Sequence, residues 1–175
     1  FNTAVSLHSH TQHSKESFGF LSSCVSRTPV LSSWLTRLIE AHRAETGRSI
    51  DIERSHWRPP LTARQVFDSE VDQIETLGLE PLVSITDHDD VEASACLRVL
   101  DPSHAVPISL EWTVPFGIGF FHLGVHNLPP EDVTSLVVEM KRYTESERGD
   151  LAELLAWINA FPETLVVLNH PLWDI

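Results

Sequence analysis

Apolar positions along the chain fall into short continuous runs separated by stripes of helical period. TAVSLH (3–8) reads as a short strand. In residues 30–46, Leu31, Leu35, Leu38, Ile39 and His42 share one helical face, and Gly47 ends the segment. A polar, proline-bounded loop, DIERSHWRPP, follows. Thr62 with Gln65 three places on is a capping-box signal for a helix carrying Phe67, Val71, Ile74 and Leu77, closing at Gly78. PLVSIT (81–86) reads as a buried strand, and a short helix is predicted over 90–100. AVPISLEW (105–112) and GIGFFHLGVHNL (117–128) are strand-like. Pro129-Pro130 introduces a helix over 131–143, and Asp150 with Glu153 caps another over 151–160. TLVVLNHPLWDI is a final β-rich run.

Short apolar strands separated by amphipathic helices imply parallel strands with helical crossovers. Their near-continuous hydrophobicity fits strands covered on both faces. An open doubly wound sheet or a (β/α) barrel satisfies the pattern equally. The 175 residues suffice for one domain with a sizeable core, and no repeat or low-complexity tract interrupts them.

Charge narrows the function classes. Twelve basic against 25 acidic residues give a net charge of −13. Such a field repels polyanions at long range. Duplex binding needs phosphate-neutralising Lys and Arg, and no basic stripe is present. A small phosphorylated substrate remains compatible, because bound cations would invert the field locally. No apolar run approaches the roughly 18–20 residues that cross a bilayer. Two cysteines far apart, Cys24 and Cys96, read as buried thiols in a reducing, cytoplasmic setting. Oligomeric state is not legible.

The chemistry gathers at the ends of the apolar runs. The first ends in His8-Ser9-His10, PLVSIT in Asp87-His88-Asp89, and PISLE in Glu111. The glycine-punctuated strand carries His122 and His126, and TLVVLN ends in His170-Pro171. In a barrel the carboxyl ends of the strands form one rim, where active sites sit. Residues two apart on a strand share a face, so His8 and His10 can aim at one metal or at adjacent metals. Imidazole and carboxylate suit zinc, manganese or iron, and the two oxygens of Glu111 allow it to bridge two cations. Asp87 and Asp89 either orient ligand histidines from behind or cap the following helix. His42, His56 and His104 read as solvated or hydrogen-bonded side chains.

These stretches together resemble the PHP family, the polymerase and histidinol phosphatase domain. LHSHTQHSKES resembles its first motif, ITDHDD its second, SLEW its strand-end glutamate, FHLGV its histidine-leucine-glycine strand and LNHP its histidine-proline motif. The matches run from residue 7 to residue 171 in the family's order.

The resemblance implies a distorted (βα)7 TIM-like barrel and a single catalytic domain over residues 1–175. Its rim would hold two or three divalent ions (Zn, Mn or Fe). His8 and His10 would bind the first metal, Glu111 would bridge to the second, His122 and His170 would complete the second, and His88 would hold the third. These six residues are the expected catalytic set. The aspartate common in the family's first motif is replaced by Lys15, so Glu16 is the expected further ligand, with His13 in reserve. The family's closing Asp-x-His motif does not follow His170, so the fold is expected to be incomplete, its last β/α units lying outside these residues. The helices at 30–46 and 61–78, with their basic loop, look like an insertion (20–80). From it Arg54 and Arg58 could reach a substrate phosphate, as could Lys15.

The implied activity is hydrolysis of a phosphate monoester of a small metabolite by a hydroxide bridging two cations. The alternatives are a phosphodiesterase or nuclease of the same family and a degenerate, non-catalytic metal-binding module. No duplex nucleic acid and no membrane are expected as partners.

Overall fold

The computed structural model describes residues 2–14, 29–49, 61–102, 105–117, 119–146 and 149–170. The chain divides into two compact units, Phe1–Lys15 with Leu61–Ile175, and Glu16–Pro60. The described part of the second unit is helix α1 (Pro29–Thr46). Gly47 follows it at φ 70°, a left-handed backbone that glycine adopts without steric cost, and its N–H donates to the Arg43 carbonyl at 2.9 Å.

The first unit begins with β1 (Thr3–Ser6). It continues with α2 (Ala63–Glu75), β2 (Glu80–Val83), α3 (Glu92–Leu100), β3 (Leu110–Phe116) and β4 (Gly119–His126). It closes with α4 (Val133–Ser146), α5 (Leu151–Asn159) and β5 (Leu165–Leu168). The local signals work as read. Thr62 and Gln65 form a reciprocal capping box on α2, and Asp150 accepts from the Ala152 and Glu153 amides at the start of α5.

Strand direction departs from the all-parallel expectation. β1 and β2 pair in parallel, but β3–β4–β5 form an antiparallel sheet. Two local causes account for this. A short turn at Gly117 (φ 61°) folds β4 back onto β3 as a hairpin. Between β4 and β5 there are two helices rather than one, so the chain reverses direction an odd number of times and β5 returns antiparallel to β4. The sheets meet at an isolated parallel bridge between His88 and Glu111. No closed barrel is present among the described residues.

Glu111 also sits differently from the expectation. It is the second residue of β3, not the end of a strand. The preceding apolar residues, Val106 and Ile108, are buried outside any strand.

Two cores support the site. Leu110, Trp112 and Val114 from β3 and Leu123 and Val125 from β4 pack with Leu136, Met140 and Ile158 from α4 and α5. Val66, Phe67 and Ile74 from α2 pack with Val83, Ile85, Ala93 and Leu97. Of the two helices expected in an insertion, α2 therefore belongs to the main unit. Cys96, expected buried, is exposed. It lies outside the narrow face of α3 formed by Ala93, Ser94 and Leu97. Cys24 lies outside the described residues. No described helix is long and apolar enough to cross a membrane.

The core assignment makes a direct prediction. Leu136 is fully buried and Val138 is mostly exposed on the same helix. Leu136→Ala should cost about 2–5 kcal/mol in urea unfolding, and Val138→Ala within about 0.5 kcal/mol. Equal losses would mean that α4 does not pack through the face described.

Candidate metal centre

The register of β3 and β4 creates the centre. Side chains alternate across a strand, and Leu110, Trp112 and Val114 take the core face. Glu111 and Thr113 must then face the other way. Their cross-strand partners, Gly124 and His122, share that second face, and so, by alternation, does His126. One sheet thus carries an apolar face and a face of imidazoles around a carboxylate.

The first two motifs are stitched together before they reach that face. Thr86 N–H donates to the Ser9 carbonyl at 2.9 Å. The buried Asp87 carboxylate accepts from both the backbone N–H and the hydroxyl of Thr11. His88 N–H donates to Ser14 Oγ at 3.2 Å. Glu111 N–H donates to the Asp87 carbonyl at 3.0 Å, and Asp89 N–H to the Glu111 carbonyl at 2.9 Å. Asp89, at φ 51°, accepts from Thr113 N–H at 2.9 Å. In these contacts Asp87 and Asp89 hold backbone segments. At the start of α3 the N-cap Val91 makes no side-chain cap bond, and Asp90 before it accepts from Glu92 N–H at 2.7 Å.

Glu111 is completely buried and lies at the middle of five histidines. Its Oε2 is 3.2 Å from His10 Nε2, 3.4 Å from His88 Nε2 and 3.7 Å from His8 Nδ1. Its Oε1 is 3.1 Å from His170 Nε2 and 3.5 Å from His122 Nδ1. The rings touch one another: His10 stacks on His88 with centroids 4.9 Å apart, and His122 meets His88 edge-on at 4.6 Å. Ligand atoms fall into two groups that share the carboxylate, His8–His10–Glu111 and His88–Glu111–His122. All six residues of the expected catalytic set are therefore brought together; the seventh expected ligand, Glu16, lies outside the described residues. His88 groups with His122 rather than standing apart.

The charge states follow from burial. Desolvation pushes His88 down to about 3, against the attraction of Glu111. It also lowers His8 and His122, again with Glu111 opposing. These imidazoles are neutral near pH 7, the form that ligates metals. Burial alone would raise Glu111, but the close His10 imidazole and the Asn169 amide prevail and hold its carboxyl below the usual range. The result is a buried anion facing neutral nitrogen donors. Its Oε2 has no hydrogen bond of regular geometry despite three nearby imidazoles. Imidazole nitrogens and an ionised carboxylate, with ligand atoms within 4.8 Å, fit one or two divalent cations such as zinc or manganese.

Other expected residues fall elsewhere. His13 faces Glu92, with Nδ1 to Oε2 at 3.4 Å. Lys15, Glu16, Arg54, His56, Arg58 and His104 lie outside the described residues. One participant was missed from sequence, and another, His126, was read only as a neighbour of His122. Asn169 donates its amide to Glu111 Oε1 at 2.9 Å and lies 3.3 Å from His8 Nδ1. His126, at the end of β4, is buried with Nδ1 2.8 Å from Ser84 Oγ. The available signals were the polar residue ending LVVLN and the two-residue spacing of His122, Gly124 and His126.

Comparison with known protein families, with curated proteins and with solved structures finds no match.

The buried imidazoles make stability pH-dependent in the metal-free protein. His88 and His126, held near 3 and 4 when folded, have an ordinary value of 6.5. Above that value neither state is protonated and their contribution is intact. As pH falls below it, the unfolded chain takes up protons that the folded chain refuses. Stability should therefore fall as pH drops from 7 to 5, the slope for each such group approaching about 1.4 kcal/mol per pH unit once pH is well below 6.5. Glu111, depressed when folded, adds a loss of the same sign at lower pH. A urea midpoint that stays level or rises across pH 7 to 5 would contradict the burial described.

Proposed function

We propose that this protein is a metal-dependent hydrolase of phosphate esters, of the PHP type, with a monoester of a small metabolite as substrate. One observation carries the reading: a single buried, ionised carboxylate is shared by two histidine-containing ligand groups. A shared carboxylate would set two bound cations at short separation, an arrangement suited to in-line displacement at phosphorus. Two or three divalent ions bound there would supply Lewis acidity and neutralise charge on the phosphoryl oxygens.

The chain's own residues have separate tasks. His8 and His10 would hold one ion and His122 and His170 the second, with Glu111 between them. His88 would serve the Glu111–His122 group or a third ion. Burial keeps His8, His88 and His122 unprotonated, so their lone pairs are available at neutral pH. The net charge of −13 favours cation recruitment and disfavours polynucleotides. In this reading the two sheets belong to a distorted (βα)7 barrel, and Lys15, Glu16, Arg54 and Arg58 remain candidates for phosphate or metal contact.

Metal-free protein should take up at least two equivalents of Mn²⁺ or Zn²⁺ by calorimetry and hydrolyse p-nitrophenyl phosphate only when loaded. His8→Ala combined with His88→Ala should reduce turnover by more than the ~10–100-fold typical of residues that merely support ligands. Activity that survives this pair of changes refutes the assignment. Cleavage of single-stranded oligonucleotides without monoester turnover would select a phosphodiesterase. Stoichiometric metal binding with neither activity would select a binding module.

A further inference from the structure

We propose that Asn169 is a positioning residue that orients the shared carboxylate before a cation arrives, and that Gly124 lacks a side chain to let it do so. The inference rests on the metal-centre reading above and extends it to residues outside the ligand set.

Glu111 reaches the site on a side chain with rotatable bonds, and its neighbours include neutral imidazoles, each of which can donate or accept. Such surroundings do not by themselves fix which way the carboxylate plane turns. An amide can. An ionised carboxylate only accepts hydrogen bonds, so the Asn169 atom 2.9 Å from Oε1 must be its NH2 group. That group also approaches His8 Nδ1 at 3.3 Å. One neutral donor therefore ties Glu111 to His8, two members of the first ligand group. It occupies one lone pair of Oε1 and leaves the remainder of the carboxylate to a cation.

Asn169 is itself held in place. Its backbone N–H donates to the His122 carbonyl at 3.0 Å, which continues the β4–β5 ladder by one step. Its side chain lies over Gly124, the cross-strand neighbour of Glu111. A Cβ on Gly124 would come within 3.1 Å of Asn169 Oδ1, 3.3 Å of Nδ2 and 2.8 Å of His126 Nε2. His126 is buried and bonded to Ser84, so it has little room to withdraw. Any side chain at position 124 would push against the amide that holds Glu111.

The test is Zn²⁺ calorimetry on the full chain, with thermal unfolding of the metal-free protein beside it. Asn169→Ala and Asn169→Asp should each weaken Zn²⁺ binding by about 10–100-fold, in metal-free protein that still unfolds in one cooperative transition. The aspartate variant keeps the shape, removes the donor and adds a negative charge that by itself favours a cation, so a loss of affinity in it isolates the missing donor. Gly124→Ala should show the same loss of affinity. If Asn169→Asp binds as wild type while Asn169→Ala is weak, the residue only fills space and the proposal falls. If Asn169→Ala binds as well as wild type, or Asn169→Asp binds more tightly, positioning is likewise refuted. Wild-type protein that takes up no Zn²⁺ refutes the metal centre itself; wild-type uptake with unaffected variants refutes only the role of Asn169.

Discussion

Keeping one carboxylate ionised out of water is the constraint around which this structure is arranged. An unpaired buried charge is costly, and a carboxyl group in such a place usually neutralises itself. Glu111 does not. Five imidazoles and one amide surround it, and their combined approach outweighs its desolvation. The cost falls on His8, His88 and His122, which are kept neutral by the same burial. A buried anion ringed by neutral donors is a poor stabilising element and a good receptor for cations.

That arrangement is possible because one antiparallel sheet serves two purposes. Trp112, flanked by Leu110 and Val114, anchors the face turned toward α4 and α5. Its indole N–H donates to Thr144 Oγ1 at 2.9 Å, so the large ring is buried without leaving a donor unpaired. The opposite face, one residue out of phase, holds Glu111, His122 and Gly124. Hydrophobic burial on the first face supplies the free energy that the second face consumes. A slip of one residue in register would exchange the two sets and destroy both.

The remaining histidines arrive from loops, and loops need fixing. Asp87 secures the turn carrying His8 and His10 through Thr11, while its own backbone pairs with Glu111. Segments 76 residues apart in sequence are joined by those carboxylate contacts, and His8 and Asn169, 161 apart, meet across the site. The acidic residues beside His88 are explained by these backbone contacts at least as well as by orientation of histidine rings.

Much was legible in the chain because it is local. Capping boxes, glycine stops and stripe periodicity depend on residues within a turn or two of one another. Thr62 with Gln65, Asp150 and Gly78 accordingly mark their helix ends. The six histidine and glutamate residues were legible for a related reason: a polar group interrupting an apolar run is anomalous wherever it lies. Strand direction, the position of Glu111 within β3, the exposure of Cys96, and the parts played by Asn169, Gly124 and His126 were decided only by tertiary structure. Each depends on which distant residue stands opposite, and the alternation of a strand states that two residues share a face without stating what that face will meet.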